Sequence, residues 1–491
     1  MRLTPAHNLQ EPARSRRGTV AGVLMTSMAA LAALVVAAPA ASSPPPAAPG
    51  PEGPTVMLGS GGEVVADEVL VRFRGKATER ALPVPEGETV EERVDELSAD
   101  PRVKWAAPNP VARASRIPRD PGRGGKRGGW QRDQWNFLAP PPVGTPCDRK
   151  HPCGVNAPRA WDLLKRMGHP EGRRKNGKRG PIVAIVDTGV AYRNRTRFRR
   201  SPDLAPGAFV GGRDFIGKDR IPLDHNGHGT HVASTIFEQT GNKKAVTGLA
   251  DGLRMMPVRV LNRGGSGSAK DVAKGIRWAT RNRAKVINLS LEFGAAFGDC
   301  SSLRGVCHAI RKAQRKGIVV VSAAGNAGAS TAQMPAKITF GVASGTIRGC
   351  LSDFSSRGPG VDITAPGGGP DAFKARGGAH CQPFAAGPTI TQLTLRPGGG
   401  SNPDFRRFGY PVYEGTSMSA PHVSAAAALV ISSRVLKRRL GRKPRRTEVE
   451  EWLRCTARPV HDPAQADAYG AGLLDLAAAL DRRSTCETLG I

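Results

Sequence analysis

Three short segments carry side chains that could perform nucleophilic catalysis. Asp187 ends the apolar run 181–186, His228 lies in the segment 225–231, and Ser417 begins an Ala-rich run. A serine hydroxyl becomes nucleophilic at neutral pH when a histidine removes its proton and a carboxylate holds that histidine in the right tautomer. The sequence therefore contains the residue types of a catalytic triad, in the order Asp, His, Ser.

Each segment also has an ordinary structural explanation when it is taken alone. An Asp at the end of a strand is often a turn former or a helix cap, and a Ser at a helix start is often an N-cap. His225, His228 and His231 have a spacing that invites a metal site, but the glycines between them are typical of a helix start rather than of three ligands on one face. Solvated loop histidines are the remaining alternative. The catalytic interpretation depends on the three segments together.

The elements around these segments predict an α/β fold. Continuous apolar strands separated by helices indicate a mostly parallel sheet that is buried on both faces. Catalytic groups in such sheets gather at the carboxyl ends of strands, where Asp187 lies. The predicted strands are 182–186, 254–261, 285–289, 317–322 and 339–343, and the predicted helices are 228–237, 269–283, 303–316 and 417–437.

The same segments resemble the catalytic motifs of the subtilisin-like serine proteases, the subtilase family. VAIVDTGV contains Asp187, HGTHVAS contains His228 and GTSMSAPHV contains Ser417, in the order of that family. The order differs from that of the α/β-hydrolases, and no G-x-S-x-G surrounds the serine. The resemblance covers about residues 130–480 and includes GIVVVSAAGN, VINLSLE and VDITAPG. It implies a subtilisin-like three-layer fold with a mostly parallel central sheet, and a serine endopeptidase.

The resemblance also implies a role for individual residues. Ser417 is the expected nucleophile, His228 the general base and then acid, and Asp187 the group that orients and stabilises the imidazolium. Asn326, at the end of GIVVVSAAGN, is the expected side-chain donor to the oxyanion, together with the Ser417 backbone N–H. This chemistry requires no cofactor.

Two further segments resemble the edges between which the family binds an extended peptide as an added strand. They are formed by Gly265, Ser266 and Gly267, and by Ser290, Leu291 and Glu292. Glu292 stands where the family usually has Gly, and Gln333 falls near the base of the primary specificity pocket by local alignment. We therefore expect some preference for basic or polar side chains next to the cleaved bond.

Calcium is a structural ion in many subtilases. Asp362 matches one carboxylate ligand position of the family, but a full set of oxygen ligands cannot be assembled from the sequence. A solvated or capping carboxylate is the alternative for this residue.

The first 54 residues are predicted to direct export rather than to fold. Basic residues precede an apolar run of about residues 20–40, which ends in an A-x-A type cleavage site at 38–40. Residues 1–40 are therefore predicted to be the signal peptide of a secreted protein. The run is also long enough for an uncleaved membrane anchor. Residues 41–54 form a Pro/Ala-rich linker.

The segment 55–114 differs from the rest of the chain in charge. The chain has 72 Lys and Arg against 41 Asp and Glu, whereas residues 63–100 carry eleven acids and five bases. With EVLVRF and VKWAAPNPVARA, the segment resembles a shortened α+β subtilase propeptide that inhibits the catalytic domain and helps it to fold. Its negative charge favours docking on a basic partner. Maturation cleavage is expected in the basic hinge, residues 115–133.

The remaining chain divides into a catalytic domain, residues 134–482, and a tail, residues 483–491, that contains Cys486. An insertion rich in Gly and Pro, residues 368–412, could be a lid, a stabilising loop or a partner surface. Eight cysteines on an exported chain suggest disulfides. Sequence proximity favours the pairs Cys147 with Cys153, Cys300 with Cys307, Cys350 with Cys381, and Cys455 with Cys486.

Two other functions compete with the serine protease. Asp187, Thr188 and Gly189 also match an aspartic protease signature, but that class needs a second such motif and the chain has none. The non-enzymatic alternative is a polyanion-binding protein on a dead protease scaffold, prompted by the basic clusters 173–179, 193–200 and 437–446. We expect a peptide substrate, the chain's own propeptide as inhibitor, weak polyanion binding at most, no specific nucleic acid, and a monomer.

Overall fold

The computed structural model describes residues 55–58, 63–114, 117–119, 130, 133–240, 245–294, 296–373, 380–383, 385–398 and 403–491. The predicted signal peptide and linker, and most of the predicted hinge, lie outside these ranges. No helix within them is long and apolar enough to cross a membrane.

Strands and helices alternate along most of the described chain. The strands are β1 Thr55–Met57, β2 Glu63–Phe73, β3 Arg80–Pro83, β4 Val103–Ala114, β5 Ile117–Arg119, β6 Ile182–Asp187, β7 Arg213–Asp214, β8 Arg254–Arg259, β9 Ser266–Ser268, β10 Val286–Leu289, β11 Leu291–Phe293, β12 Val319–Ala323, β13 Phe340–Gly345, β14 Ile363–Pro366, β15 Thr394–Pro397, β16 Pro403–Gly409 and β17 Val412–Glu414. The helices are α1 Val90–Ala99, α2 Ala157–Arg166, α3 His228–Phe237, α4 Ala269–Arg281, α5 Arg304–Arg315, α6 Thr416–Ser433, α7 Val435–Leu440, α8 Arg446–Cys455, α9 Ala466–Tyr469 and α10 Leu476–Leu480.

A parallel sheet forms the centre of the fold, as the apolar runs predict. In the described residues it has seven strands in the order β14-β13-β12-β10-β6-β8-β7, and every adjacent pair in it is parallel. Alternate residues of β6 face opposite sides: Val183 and Ile185 pack with residues of α2, α3 and α6. Ala184 and Val186 pack with residues of α4 and α5. Both faces are covered, so this is the expected three-layer α/β fold.

One predicted helix is divided in the structure. The Ala-rich pattern predicts a single helix over 417–437, but α6 ends at Ser433 and α7 begins at Val435. Between them Arg434 has a φ of 59°, the left-handed conformation that terminates helices. Helical periodicity continues across this residue, so the pattern alone does not reveal the break.

The segment 55–114 folds as a small α+β unit. Strand β2 pairs antiparallel with β1, β3 and β4, and α1 begins with a capping box between Thr89 and Glu92. Apolar residues of this unit, among them Val69, Leu70 and Trp105, belong to the same core as residues of α4 and α5. A unit of this size has too little core of its own for high stability, and the shared core compensates for that.

The structure forms the four disulfides that sequence proximity favours. The insertion 368–412 contains the hairpin β15–β16 and runs along α3. The Ser234 hydroxyl donates to the Leu393 carbonyl oxygen, and the Leu393 N–H donates to the Glu238 carboxylate. These contacts attach the insertion to the helix that begins at His228 and to the residue that follows it.

Candidate active site

Asp187 and His228 meet at the carboxyl edge of the central sheet. Asp187 is the last residue of β6 and His228 is the first residue of α3. His228 Nδ1 lies 2.8 Å from Asp187 Oδ1, and both side chains are fully buried. The Thr188 N–H donates to the same oxygen over 2.7 Å. A buried carboxylate in this position fixes the tautomer of the imidazole and stabilises its protonated form.

The first turn of α3 can approach Asp187 only because residue 229 is glycine. A Cβ built on Gly229 would lie 2.2 Å from the Gly189 carbonyl oxygen and 3.0 Å from Asp187 Oδ1. Real Cβ atoms do not approach a carbonyl oxygen this closely, so any larger residue would push α3 away from β6. Gly229 therefore sets the distance between the carboxylate and the imidazole.

Asp224 is a site residue that the sequence motifs did not single out. Its two oxygens accept hydrogen bonds from the hydroxyls of Thr188 and Thr230 and from the backbone N–H groups of Asn226, Gly227 and Thr230. Burial raises the pKa of Asp224, and these hydrogen bonds act against that rise. The carboxylate ties the turn after Asp187 to the start of α3. The sequence signal that could have identified Asp224 is its position directly before the histidine segment 225–231.

Ser417 lies in the first turn of α6, and a chain of buried polar side chains holds that turn against the sheet. The Ser424 hydroxyl donates to Asn288 Oδ1, Asn288 Nδ2 donates to the Ser290 hydroxyl, and the Ser290 hydroxyl donates to the Ser417 carbonyl oxygen. The Ser417 hydroxyl points toward the Ser290 carbonyl oxygen at 3.2 Å. In this first helical turn the Thr416 N–H donates to Asn326 Oδ1 and the Met418 N–H donates to the Gly415 carbonyl oxygen. The Ser417 N–H lies between them, and because N–H groups of a first turn have no partner within the helix, it can donate to an anion.

Asn326 presents an unsatisfied donor next to that turn. Its Oδ1 accepts from both the N–H and the hydroxyl of Thr416, over 2.9 and 3.0 Å, which fixes the orientation of the amide. Its Nδ2 is buried and has no hydrogen-bond partner among the described residues. A buried donor without a partner costs about 1–3 kcal/mol. Such a group is retained where an acceptor arrives during function.

Glu292 and Gln333 converge beside Asn326. The Asn326 N–H donates to Glu292 Oε2 over 2.9 Å. A Cβ built on Gly325 would lie 2.4 Å from Gln333 Oε1 and 2.8 Å from Glu292 Oε2. Two acceptor oxygens, Gln333 Oε1 and Glu292 Oε2, therefore meet at the bare backbone of Gly325, next to Asn326. The structure thus brings together the two residues to which the sequence analysis assigned substrate preference.

The two predicted peptide-binding edges face each other across a strand of the same chain. Strand β4 pairs antiparallel with β9, with Arg113 opposite Ser266, and with β11, with Arg113 opposite Glu292. Strands β9 and β11 include most of the residues predicted from the resemblance, and Gly265 and Ser290 directly precede them. A Cβ on Gly267 would lie 2.1 Å from the Val260 carbonyl oxygen, so this edge requires glycine for close backbone packing.

The metal interpretation of the histidine segment fails in the structure. His231 Nε2 lies 3.1 Å from the Ile390 carbonyl oxygen, whereas the His225 ring packs at a tilt of 60° against Phe405. Burial, and then the neighbouring arginines, lower the pKa of His225 to about 3. Each of the three imidazoles thus has its own neighbour, Asp187 for His228, Ile390 for His231 and Phe405 for His225, and they do not share an ion.

Asp362 does not fit calcium. Its Oδ1 accepts from the Arg454 guanidinium over 2.5 and 3.1 Å, and its Oδ2 accepts from the Gly341 N–H over 2.7 Å. A guanidinium in contact with the carboxylate would repel a divalent cation. The sequence suggested this residue by family position alone, whereas the tertiary structure supplies it with a permanent counter-ion.

Comparisons with known proteins agree with this geometry. The model of the subtilase family matches residues 178–472. The chain is 32% identical over 372 residues to the thermophilic serine proteinase of Bacillus sp. (strain AK1), covering 75% of this chain and 73% of that protein. It is 35% identical over 283 residues to thermitase of Thermoactinomyces vulgaris, covering 57% and 81% respectively.

A solved structure shares the fold. A protease from Pseudoalteromonas arctica superposes with a TM-score of 0.53 at 29% sequence identity, covering 74% of this chain and 98% of that chain. The chain belongs to the subtilase family. It is accordingly a serine-type endopeptidase.

We expect the Gly229→Ala variant to lose most of its activity, because the added methyl group collides with the Gly189 carbonyl oxygen and displaces His228. A misplacement of about 1 Å can cost about 100-fold in kcat/KM. The measurement is kcat/KM on a peptide substrate. Gly207→Ala is the matched control, since a Cβ at that position would lie 4.0 Å from Arg179 Nε, its nearest neighbour. Equal activity in the two variants would contradict the spacing role of Gly229.

Proposed function

We propose that Ser417, His228 and Asp187 hydrolyse peptide bonds through an acyl-enzyme intermediate. Ser417 Oγ attacks the carbonyl carbon while His228 accepts its proton, and His228 then gives that proton to the leaving amine. A water molecule then attacks the acyl-enzyme while His228 accepts its proton, and His228 returns that proton to Ser417 Oγ as the carboxylic acid product is released. The observation that carries the proposal is the buried 2.8 Å contact between His228 and Asp187, beside a serine in the first turn of a helix.

The oxyanion of each tetrahedral intermediate is stabilised by two donors. One is the Ser417 backbone N–H, and the other is Asn326 Nδ2, whose orientation is fixed by Thr416. Donors that are already in place act without reorganisation when negative charge develops. The missing partner of Asn326 Nδ2 supports this role.

Replacing Asn326 by Leu is expected to lower kcat about 100- to 1,000-fold, the loss known for such a donor in subtilisin. KM should change little, because the donor acts on the transition state. Steady-state kinetics separates the two constants, and a thermal melt controls for folding. A loss carried mainly by KM would assign Asn326 to substrate binding instead.

We further propose that a substrate binds as a strand between β9 and β11, with its side chain next to the cut bond pointing toward Glu292 and Gln333. The antiparallel pairing of β4 with both edges supports this binding mode. Two acceptor oxygens at Gly325 suit a lysine or arginine side chain. The preference for basic residues follows from these oxygens.

The Glu292→Gln variant tests the charge while keeping an acceptor for the Asn326 N–H. A hydrogen bond between charged groups contributes about 1.5–3 kcal/mol, so the kcat/KM ratio of basic to large apolar substrates should fall about 10- to 100-fold. A peptide library profiled with both proteins gives that ratio. If the wild-type enzyme already cleaves best after large apolar residues, the assignment is wrong.

The segment 55–114 acts as an intramolecular inhibitor in this proposal. Its strand β4 occupies the edges where a substrate would pair. Ion pairs attach it to α4: Glu68 lies 2.8 Å from Lys270 Nζ, and the buried Glu79 carboxylate lies 2.7 Å from Arg277. Its acidic composition therefore serves docking on a basic domain.

Maturation cleavage is proposed between Ser115 and Arg116. On one side of the serine Ala114 pairs with Leu291, and on the other side Ile117 pairs with Glu414, three residues before Ser417. Ser115 and Arg116 thus stand in the sequence between a residue paired with β11, which follows Ser290, and a residue paired with β17, which precedes Ser417, and this supports cleavage between them. Cleavage at this point would release Arg116 as a new amino terminus.

The cleavage site is measured by the intact mass of the purified protein. The wild type should begin at Arg116 and gain one adduct from a fluorophosphonate probe, whereas the Ser417→Ala variant should keep the bond intact and gain none. Processing of the variant at the same bond would show that another protease makes the cut. A wild-type terminus elsewhere in 117–133 would contradict the assigned register.

Export is part of the same proposal. The predicted signal peptide precedes a domain with four disulfides, and such bonds persist mainly outside the cytosol. The catalytic steps use side chains and backbone of this chain alone. No cofactor enters them.

A further inference from the structure

A large basic groove lies at the amino end of the central sheet. It has a volume of about 1230 Å³, and its sixteen lining residues include nine lysines and arginines but no Asp, Glu, Phe, Tyr or Trp. Ile182 and Arg254, which begin β6 and β8, form part of it. Asp187 ends β6 at the opposite edge, so the groove is separate from the catalytic residues.

The groove collects charges that are distant in the sequence. Arg174 and Lys175 come from the basic cluster 173–179, and Lys437 and Lys443 come from the cluster 437–446. The tertiary structure brings these two clusters together, and Lys285, half-buried before β10, adds a charge between them.

The acids of α8, which follows the cluster 437–446 in the chain, are paired with arginines outside the groove lining. Glu448 binds Arg442 and Arg445, and Glu450 binds Arg446. Within the described ranges, none of the nine groove cations forms a salt bridge with a carboxylate. Arg254 donates from Nε to the Gly180 carbonyl oxygen over 2.9 Å, which orients it without neutralising it.

The cations therefore destabilise one another. Burial, and then the charge of Lys443, lower the pKa of Lys285. Burial, and then Arg174, lower the pKa of Arg254. An unneutralised group of like charges is relieved when anions bind among them.

We propose that this groove binds a linear polyphosphate chain. Arginine forks and lysine ammonium groups both bind phosphate, and closely spaced phosphates supply many charges in one narrow strand. The absence of aromatic residues in the lining removes the platforms on which nucleic-acid bases stack. The site goes beyond proteolysis and would attach the protease to a polyanionic matrix.

The test uses the full chain with Ser417→Ala, which prevents self-digestion, and long-chain inorganic polyphosphate as the probe. We expect saturable binding at physiological salt, weakening steeply as salt rises. The melting temperature should rise with polyphosphate concentration, because the ligand binds the folded state. No saturable binding at physiological salt would overturn the proposal.

A matched pair of variants separates the groove from overall charge. Lys437→Gln with Lys443→Gln removes two exposed groove lysines, and Lys312→Gln with Lys316→Gln removes two exposed lysines at and after the end of α5. We expect the groove pair to weaken binding at least about tenfold. The slope of log affinity against log salt concentration should become shallower by about two, because about two phosphate contacts are lost. The control pair should change affinity less than about threefold. Equal losses of affinity in both pairs would mean that binding depends only on the net charge of the protein and not on the groove.

Competition identifies the ligand class. Oligothymidylate, poly-glutamate and heparin, each at equal charge concentration, should displace polyphosphate less effectively than unlabelled polyphosphate does. If any of them competes better, the phosphate-chain assignment is wrong and the groove belongs to that class of polymer. Peptidase activity of the Lys437→Gln, Lys443→Gln pair in the Ser417-containing protein should match the wild type, which keeps this test distinct from the catalytic proposal.

Discussion

The buried hydrogen bond between Asp187 and His228 is the constraint on which the rest of the site depends. A carboxylate removed from water is costly unless hydrogen bonds and a counter-charge compensate it. The fold provides these by fixing the end of β6 against the start of α3. Asp224 and Gly229 maintain that junction, one through hydrogen bonds to both sides and the other through its missing side chain. The insertion then packs along α3 from outside.

A second constraint fixes the serine relative to this pair. The polar chain from Ser424 through Asn288 and Ser290 holds the first turn of α6 against β10 and β11. These groups lie in a core where unpaired polar atoms are costly, so they form a connected network. Asn326 differs from these groups, because its Oδ1 accepts two hydrogen bonds while its Nδ2 has no partner among the described residues. The fold accepts that cost beside the serine and compensates for it with the large apolar core around the sheet.

Charge is distributed in this chain for two separate purposes. The acidic unit 55–114 pairs with α4 on the face that carries the peptide-binding edges, where Glu68 and Glu79 meet Lys270 and Arg277. The opposite end of the sheet gathers nine cations, none of which forms a salt bridge with a carboxylate of the described residues. The net charge of +31 is thus unevenly distributed, with a neutralised face at one place and a strongly basic groove at another. The two ends of a parallel sheet are chemically different surfaces, so one domain can present two unrelated binding sites.

The sequence by itself determined the fold class, the family and the order of Asp187, His228 and Ser417, because strand and helix periodicity and the local motifs are properties of neighbouring residues. It also located α3 to the residue, since glycine and histidine mark its start. Only the tertiary structure divided the helix at Arg434, gave Asp362 to Arg454, and placed β4 between the two edges. The same holds for Asp224 and the basic groove. These features depend on which distant residues meet, and contacts over tens or hundreds of residues leave no periodic trace in the chain.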